Sequence, residues 1–296
     1  HFAIRRQRQM CIRDSHNIIN FSFYYEAICL LCHNSLNFHV QFIEKLRKNI
    51  SEKNSNLCIG IDIDKKYFSK DVSLDELSDY SMMIVEATKD LAPAYKPNLA
   101  FFEEWGSKGF YWLENLIKYI GSNHIIIADA KRGDIGNTGV HYAEAFFNHL
   151  NCDAITISPY MGKESIEPFI ENKEKGVYVL CRTSNQSSSY IQEDIFTKVI
   201  SMCEDLNSNK NIGFVVGATD DKALEEVRVK TDSFFLIPGI GAQGGSLKNV
   251  MQSNINHLDT TLVNISRGII FADQKNSESI RLAAKKYLNQ MKESRE

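Results

Sequence analysis

The sequence predicts one α/β domain of the (β/α)₈ barrel, or TIM barrel, class. From residue 42 onward, short apolar runs alternate with helix-like segments, and eight such pairs fit into about 250 residues. No linker-like change in composition interrupts this alternation after residue 56. A doubly wound sheet is the alternative fold, but it would be smaller or would need a second domain.

The composition is that of an ordinary globular protein. The 296 residues are 43% apolar and 24% charged, with a formal net charge of −3. These values exclude a disordered chain, a coiled coil and a collagen-like polymer. The near-neutral balance argues against a nucleic-acid-binding protein. No apolar stretch reaches the roughly 18 residues that a membrane-spanning helix needs.

Residues 1–40 differ from the rest of the chain. The basic run Arg5-Arg6-Gln7-Arg8 has no long apolar run beside it, so it does not make a secretory signal peptide. The segment 6–15 resembles translated sequencing-adapter reads. We therefore expect residues 1–40 to be a leader that is not native or is disordered, and residues 41–296 to form the barrel. A genuine but poorly ordered extension is the alternative.

The elements of the predicted barrel follow a short amphipathic helix pattern that begins at Phe42 and a polar turn over residues 51–56. Runs of apolar residues predict strands at 57–61, 92–95, 125–128, 154–157, 177–180, 212–216, 234–237 and 262–265. Helix-like periodicity predicts helices at 74–90, 105–120, 136–150, 165–172, 191–206, 220–229, 245–251 and 277–291.

Polar and charged residues follow most of the predicted strands. In a barrel the carboxyl ends of the strands meet at one mouth, where the active site lies. We therefore expect these side chains to converge. In chain order they are Asp62, Lys96, Asp129, Lys131, Asp134, the run Arg182 to Asn185, Gln243, Ser266 and Arg267.

The densest of these groups is the segment from Asp129 to Asp134. Asp129 and Lys131 are two residues apart, so in a continuing strand they point the same way. Neighbouring carboxylates keep an ammonium protonated, and that ammonium can donate a proton to a developing carbanion. A carboxylate pressed against a substrate carboxylate is repelled by it, and departure of CO₂ relieves the repulsion. The alternative interpretation is a solvated salt-bridge loop.

Two glycine-containing turns, after the seventh and eighth strands, predict a phosphate site. Barrels often bind phosphate there through backbone N–H groups near a helix N-terminus. Glycines at 239, 241, 244 and 245 permit close approach of the backbone. Arg267 can add a bidentate contact to phosphate oxygens.

The cysteines and histidines predict no further chemistry. The seven cysteines are odd in number and thinly spread, which favours reduced thiols in the cytoplasm. The Cys29–Cys32 spacing matches a redox motif but lacks its βαβ context. His124 is expected in a turn, and His141 and Tyr142 on a helix. No sequence pattern typical of a metal site occurs.

The segment Asp129-Ala130-Lys131-Arg132-Gly133-Asp134-Ile135-Gly136-Asn137-Thr138 resembles the signature of the orotidine 5′-phosphate decarboxylase family, in particular its longer bacterial branch. The resemblance runs from about Phe42 to the C-terminus. Its flanking matches, in the expected order, are Ile59-Gly60-Ile61-Asp62, Tyr95-Lys96-Pro97-Asn98, Pro238-Gly239-Ile240-Gly241-Ala242-Gln243 and Asn264-Ile265-Ser266-Arg267-Gly268.

The resemblance implies decarboxylation of orotidine 5′-monophosphate (OMP) to UMP, the last step of de novo UMP synthesis, without a metal or an organic cofactor. It implies that Lys131 protonates C6 of the pyrimidine as CO₂ departs. Asp129 would lie beside the substrate carboxylate and anchor Lys131 and Lys96. Asp134 would enter the site of the neighbouring subunit, which makes a homodimer a catalytic requirement.

The substrate-binding residues implied by the resemblance begin with those of the ribose. Asp62 and Lys96 would bind its hydroxyls, with Asn98 nearby. Thr138 would touch the ribose in the site of the neighbouring subunit.

The base and phosphate contacts are implied in the same way. Ser184 would read the pyrimidine edge, and Gln243 would bridge the pyrimidine and the phosphate. Arg267 and the backbone of Gly268 would hold the phosphate. The family loop after the fifth strand often continues Ser-Asn-Pro-Gly, whereas residues 186–189 here are Gln-Ser-Ser-Ser. The resemblance therefore specifies the geometry of this loop, and the role of Ser184, less closely than it specifies the other contacts.

Two other functions compete with this interpretation. One is a sugar-phosphate decarboxylase or epimerase on a related barrel, which would share the Asp-x-Lys-x-x-Asp spacing but typically recruits a divalent metal. The other is a phosphate-ligand-binding barrel without catalysis, which would have no need of Lys131 together with both aspartates. The continuation over residues 135–138 favours the nucleotide enzyme over the sugar-phosphate enzyme.

Overall fold

Eight parallel strands form a closed barrel in the computed structural model, which describes residues 40–241 and 243–295. Each strand pairs with the next in the sequence, and the last pairs with the first. The predicted barrel class is therefore confirmed, while the predicted leader, apart from Val40, lies outside the described residues. The strands are β1 (Leu57–Ile61), β2 (Ala94–Pro97), β3 (Ile125–Arg132), β4 (Ala154–Ile157), β5 (Gly176–Arg182), β6 (Ile212–Val216), β7 (Phe235–Ile237) and β8 (Thr261–Ile265).

Helices connect the strands. They are α1 (Phe42–Lys53), α2 (Leu74–Thr88), α3 (Ala100–Glu103), α4 (Gly106–Ile120), α5 (Gly136–Ala143), α6 (Glu167–Ile170), α7 (Ser189–Leu206), α8 (Asp221–Arg228), α9 (Leu247–Ser253), α10 (Arg267–Ile270) and α11 (Ser277–Glu293). A π-helical turn (Glu144–His149) extends α5, and short 3₁₀ turns lie at Lys65–Tyr67, Lys163–Ser165, Asn207–Asn209 and Ile255–His257. Among the described helices, none has the length and apolar character needed to span a membrane.

The predicted boundaries are correct for β1, β4 and β6 and wrong elsewhere, for reasons of pairing. β2 begins and ends two residues later than predicted, so Lys96 lies within the strand. β3 continues four residues past its apolar run, because Arg132 pairs with Ile157 of β4 after a register shift. Helix α1 continues through Lys53, past the start of the predicted turn, and ends where Asn54 adopts a left-handed conformation.

Alternation along the strands divides the buried residues into two clusters. Outward-facing residues pack under the helices, and inward-facing residues such as Ile127, Tyr178 and Leu236 fill the barrel. Helix α1 contributes Phe42 to the inner cluster, where its ring packs edge-on against Tyr178 with centroids 6.3 Å apart. A Cβ on Gly176 would lie only 2.4 Å from that ring, so glycine is required there. The amino end of the barrel is thus filled.

Candidate active site

A cavity of about 500 Å³ lies at the carboxyl ends of the strands, a size that suits a small-molecule ligand. Its walls carry residues from all eight strands or from the loops that follow them, as the predicted convergence requires. Eight of the residues predicted for the site line this cavity: Asp62, Lys96, Asn98, Asp129, Lys131, Ser184, Gln243 and Arg267.

The Asp129 carboxylate lies between two lysine ammonium groups. The Nζ of Lys96 donates to its Oδ2 over 2.6 Å, and the Nζ of Lys131 donates to its Oδ1 over 2.6 Å. The hydroxyl of Thr156 on β4 donates to Oδ1 as well, over 2.9 Å. The expected contact between Asp129 and Lys131 is therefore present, and Lys96 joins it from the neighbouring strand.

Burial and charge together fix the ionisation of this group. Burial by itself would raise the pKa of Asp129, but the positive charges of Lys96 and Lys131 outweigh it and hold that pKa well below its usual range. Burial would likewise lower the pKa of Lys96, yet the negative charges of Asp129 and Asp62 raise it above its usual value. Asp129 is thus an anion and Lys96 a cation at neutral pH.

Lys131 occupies an unusual backbone conformation. Its φ is +48°, in the left-handed region that few residues other than glycine adopt. The Thr156 hydroxyl accepts a hydrogen bond from its N–H over 3.0 Å, and Arg132 donates to the carbonyl of Ala130 while pairing with Glu103. These contacts hold the strained turn in place. The Lys131 side chain is 51% exposed, against 5% for Lys96, so Lys131 is the ammonium that a ligand can reach.

Ser184 and Gln243 connect two loops at the mouth. The Oγ of Ser184, after β5, donates to Oε1 of Gln243, after β7, over 2.7 Å. Gly239 has a φ of +109°, and a Cβ there would lie 3.2 Å from that same oxygen. The glycine therefore permits Gln243 to fold back over the cavity.

Tyr287 on α11 supports the two glycine-containing turns after β7 and β8. A Cβ on Gly241 would lie 2.8 Å from the Tyr287 hydroxyl, and one on Gly268 would lie 2.5 Å from it. Arg267, the first residue of α10, lines the cavity, whereas Gly268 does not. The close packing places the N-terminus of α10 and the turn at Gly241 beside one another.

Asp134 and Thr138 stand apart from the cavity of their own chain. Neither lines it; Asp134 accepts a hydrogen bond from the N–H of Ile135 over 2.8 Å, and Thr138 is exposed on α5. Ile135 and Val140 beside them are 51% and 43% exposed. The segment therefore presents polar and apolar groups outward from the subunit.

The remaining predictions concern residues outside the cavity. Arg182 is buried and pairs with Asp220 over 3.3 Å. His124 lies in the bend before β3, as expected, but it is buried and its ring nitrogens contact two backbone carbonyls. The described part of the chain contains no cluster of three or more side chains of the kinds that hold a metal.

The cysteines fall into two groups. Cys58, Cys152 and Cys181 are buried, unpaired thiols, as expected, and so is Cys203. Burial raises the pKa of Cys58 to about 12, which makes it unreactive. The other three cysteines, including the Cys29–Cys32 pair, lie outside the described residues.

Sequence reasoning gave no role to four residues of this region: Thr156, Asn264, Ser266 and Tyr287. Two of them carried a signal, because Thr156 and Asn264 are polar residues inside the apolar runs 154–157 and 262–265. Ser266 appeared only as a strand-end residue and as part of the flanking match over residues 264–268. Nothing in the local sequence indicates a role for Tyr287, because the two glycines that its hydroxyl contacts are about 20 and 50 residues away and meet it only through tertiary packing.

Known proteins resemble this chain throughout the barrel. A model of the family described as "Orotidine 5′-phosphate decarboxylase / HUMPS family" matches residues 55–282. The orotidine 5′-phosphate decarboxylase of Bacteroides fragilis strain YCH46 is 41% identical over 265 residues, which cover 84% of this chain and 97% of that protein. The protein of the same name from Dehalococcoides mccartyi strain 195 is 42% identical over 245 residues, covering 79% and 90%.

Solved structures also resemble this chain over most of its length. The structure of Leishmania donovani OMP decarboxylase superposes with a TM-score of 0.76 at 35% identity, covering 86% of this chain and 99% of that chain. The UMP synthase of the same organism superposes with a TM-score of 0.78 at 37% identity, covering 86% of this chain and 57% of that chain.

Proposed function

This chain belongs to the orotidine 5′-phosphate decarboxylase family and is a carboxy-lyase that converts OMP to UMP and CO₂, and from that premise we propose how its residues perform the reaction. The observation that carries the proposal is the Asp129 carboxylate held between Lys96 and Lys131 on the cavity wall. The alternative of a metal-dependent sugar-phosphate enzyme finds no support in the relatives described above.

The charge pattern acts on the substrate carboxylate. With OMP bound, its carboxylate lies beside Asp129, and the repulsion between the two anions is relieved when CO₂ leaves. The bond between C6 and the carboxylate breaks, and its electron pair stays on C6. The fixed ammonium groups favour that developing negative charge over the neutral ring carbon of the ground state.

Lys131 completes the reaction by proton transfer. Its ammonium donates one proton to C6 and becomes a neutral amine, which solvent then reprotonates. Two features support this role: the exposed Lys131 side chain can reach a bound ring, and its contact with Asp129 fixes the direction of approach. Lys96 is nearly covered, so we assign it to holding Asp129 and the ribose rather than to proton donation.

The rest of the cavity binds the parts of OMP that do not react. Asp62 and Asn98 lie on the ribose side, and Ser184 with Gln243 contacts the pyrimidine edge. Arg267 and the backbone at Gly268 hold the phosphate at the N-terminus of α10. Binding energy from phosphate and ribose positions the reacting ring, which lowers the barrier without any chemistry at those groups.

We further propose a homodimer with shared active sites. Asp134 and Thr138 do not line the cavity of their own chain, and the exposed apolar residues Ile135 and Val140 lie next to them. In a symmetric pair this segment can enter the mouth of the partner's cavity. We also place the protein in the cytoplasm, where pyrimidine nucleotides are made, and the unpaired buried thiols support this location.

The test of this function follows the ultraviolet absorbance of OMP in the presence of excess EDTA. We expect the wild-type protein to consume OMP under these conditions. Lys131→Ala should lower kcat by at least about 10³-fold, because it removes the proton donor and one fixed charge. Lys222→Ala is the matched control, since that lysine is 87% exposed on α8, and its activity should equal that of the wild type.

Two results would contradict the proposal. A folded wild-type protein that leaves OMP unchanged would exclude the reaction. A folded protein that leaves OMP unchanged but converts a sugar phosphate when magnesium is added would favour the sugar-phosphate class of enzyme, which typically recruits a divalent metal.

A further inference from the structure

A single side chain braces the loop between β5 and α7, residues 183–188. Gln192, the fourth residue of α7, accepts a hydrogen bond at Oε1 from the N–H of Thr183 over 2.7 Å. Its Nε2 donates to Oγ1 of the same threonine over 2.8 Å. Because both ends of one side-chain amide bind one residue, the start of the loop is fixed in position against α7.

The Thr183 hydroxyl passes this restraint on to Asn185. Its single hydrogen goes to Oδ1 of Asn185 over 2.5 Å, so the hydroxyl accepts the hydrogen bond that Gln192 donates. The hydrogen bonds thus run in one direction, from Gln192 through Thr183 to Asn185. Ser184 lies between the two residues that this chain of hydrogen bonds holds.

The turn after β6 holds Ser184 from the other side. The hydroxyl of Thr219 donates to the Ser184 carbonyl over 3.2 Å. A Cβ on Gly217 would lie 2.8 Å from the backbone N of Ser184 and 2.9 Å from its Cα, so glycine is required there. Residues 185–189 are Asn-Gln-Ser-Ser-Ser, with no proline to restrict the backbone. The contacts with α7 and with the turn after β6 therefore set where Ser184 lies.

The position of Ser184 decides what it offers to a ligand. Its hydroxyl hydrogen goes to Oε1 of Gln243 over 2.7 Å, which leaves the Ser184 oxygen as an acceptor and the Gln243 Nε2 as a donor. An acceptor beside a donor complements the ring N–H and the adjoining carbonyl of uracil or orotate. Cytosine has an unprotonated nitrogen and an amino group at these positions, so the same pair would face it acceptor to acceptor and donor to donor.

We propose that Gln192 is a positioning residue for this recognition: it holds Ser184 where Ser184 and Gln243 together select a uracil-type ring over a cytosine-type ring. Gln192 lines the cavity, but its amide oxygen and nitrogen both contact Thr183, so it acts through the loop. This inference rests on the proposed function, in which Ser184 and Gln243 contact the pyrimidine edge.

The experiment measures binding of UMP, CMP and ribose 5-phosphate by calorimetry. The wild-type protein should prefer UMP over CMP by at least about 10-fold, because CMP leaves polar groups mispaired. Gln192→Ala should bind UMP about 10-fold more weakly and prefer it over CMP by less than about threefold. Its affinity for ribose 5-phosphate should stay within about twofold of the wild type, because that ligand has no ring for the loop to contact.

Gln186→Ala is the matched control. Gln186 lies in the same loop, but it is exposed and does not line the cavity. Its substitution should leave all three affinities and the preference for UMP unchanged. Wild-type preference in folded Gln192→Ala would overturn the inference. Equal weakening of all three ligands would overturn it as well, since that is the pattern of general damage to the fold.

Gln192→Glu keeps the inference testable if Gln192→Ala does not fold. Glutamate keeps the length of the side chain and the oxygen that accepts from Thr183, but its carboxylate has no hydrogen to donate to the Thr183 hydroxyl. That hydroxyl must then donate to the glutamate, which releases Asn185. The preference for UMP over CMP should fall about threefold, and repulsion between the added charge and the phosphate cancels in this ratio. An unchanged ratio would overturn the inference.

Failure of the proposed function would be seen separately. Wild-type protein that prefers UMP, and loses this preference in Gln192→Ala, but does not consume OMP would reject the decarboxylase and leave the role of Gln192 standing. Wild-type protein that consumes OMP but has no preference for UMP over CMP would overturn the inference and leave the decarboxylase standing.

Discussion

Asp129 is the residue on which the charges of the site depend. It accepts hydrogen bonds from two ammonium groups and from the Thr156 hydroxyl, and its side chain is only 11% exposed. Lys96 is more deeply buried still and has Asp129 as its hydrogen-bonded counter-ion. Removal of the Asp129 charge would therefore affect stability as well as catalysis.

We expect Asp129→Asn to lower the free energy of unfolding at pH 7 by about 3 kcal/mol, because Lys96 is left buried without its paired charge. The native pKa of Asp129 lies below the unfolded value of about 3.9. The stability that ionisation of Asp129 contributes is therefore fully present at pH values above the unfolded pKa. It is lost as the pH falls through the native pKa.

Urea unfolding at pH 7, at pH 5 and near pH 3.5 checks this expectation. The difference between wild type and variant should be equal at the two higher pH values and smaller at the lowest. Asp71→Asn, at an exposed aspartate, is the control and should change stability by less than about 0.5 kcal/mol. A difference that stays constant down to pH 3.5 would show that Asp129 is not stabilised as an anion.

At the scale of elements, the loops after β7 and β8 depend on a helix far away in the sequence. Tyr287 of α11 packs its hydroxyl against both Gly241 and Gly268. Any side chain at either glycine would push the loops away from α11. The proposed phosphate site is therefore built from two turns and one supporting helix.

Gly268→Ala tests this arrangement, because its Cβ would lie 2.5 Å from the Tyr287 hydroxyl oxygen. The displaced N-terminus of α10 should raise KM for OMP about 10-fold and also lower kcat, since binding energy from the phosphate positions the reacting ring. Adding Tyr287→Phe removes the clashing oxygen and should restore most of the affinity.

Steady-state kinetics of the two single variants and the double variant provide the measurement. Tyr287→Phe alone should keep KM within about twofold of the wild type, because the glycines need only space at this position. A double variant no better than Gly268→Ala would mean that the tyrosine hydroxyl is not what limits this turn.

For the molecule as a whole, the cavity of one chain holds most of the residues of the proposed site but not all of them. Asp134 and Thr138 belong to the signature segment, yet they do not line the cavity of their own subunit. A symmetric dimer accounts for this separation, because each subunit would supply these residues to the other.

Mixing two inactive variants tests the shared site. Lys131→Ala and Asp134→Asn each remove one residue from every site of a homodimer. In a mixed dimer both changes fall in one site and the other is intact. An equal mixture, after subunit exchange, should regain about a quarter of wild-type activity, since half the dimers are mixed and each has one working site. No recovery despite confirmed exchange would place Lys131 and Asp134 in the same site of one subunit.

Much of the fold could be predicted because its signals are local. Apolar runs and helical periodicity repeat over a few residues, and eight repeats match the barrel class. The boundaries of β2 and β3 were less predictable, because Lys96 and Arg132 are strand residues only by virtue of their pairing partners. The local sequence at both positions is polar, which is typical of residues that follow a strand rather than belong to it.

Sequence patterns were enough to predict the barrel class and the family, and they identified Asp129, Lys131 and Arg267 as candidates for the site. Tertiary structure decided which side chains meet: Lys96 with Asp129, Ser184 with Gln243, and Tyr287 with the two glycine turns. It also showed that Oδ1 of Asn264 is buried without a hydrogen-bond partner among the described residues. The physical reason is that spacing along a chain encodes neighbours within an element, whereas burial and hydrogen-bond satisfaction depend on strands and helices distant in sequence.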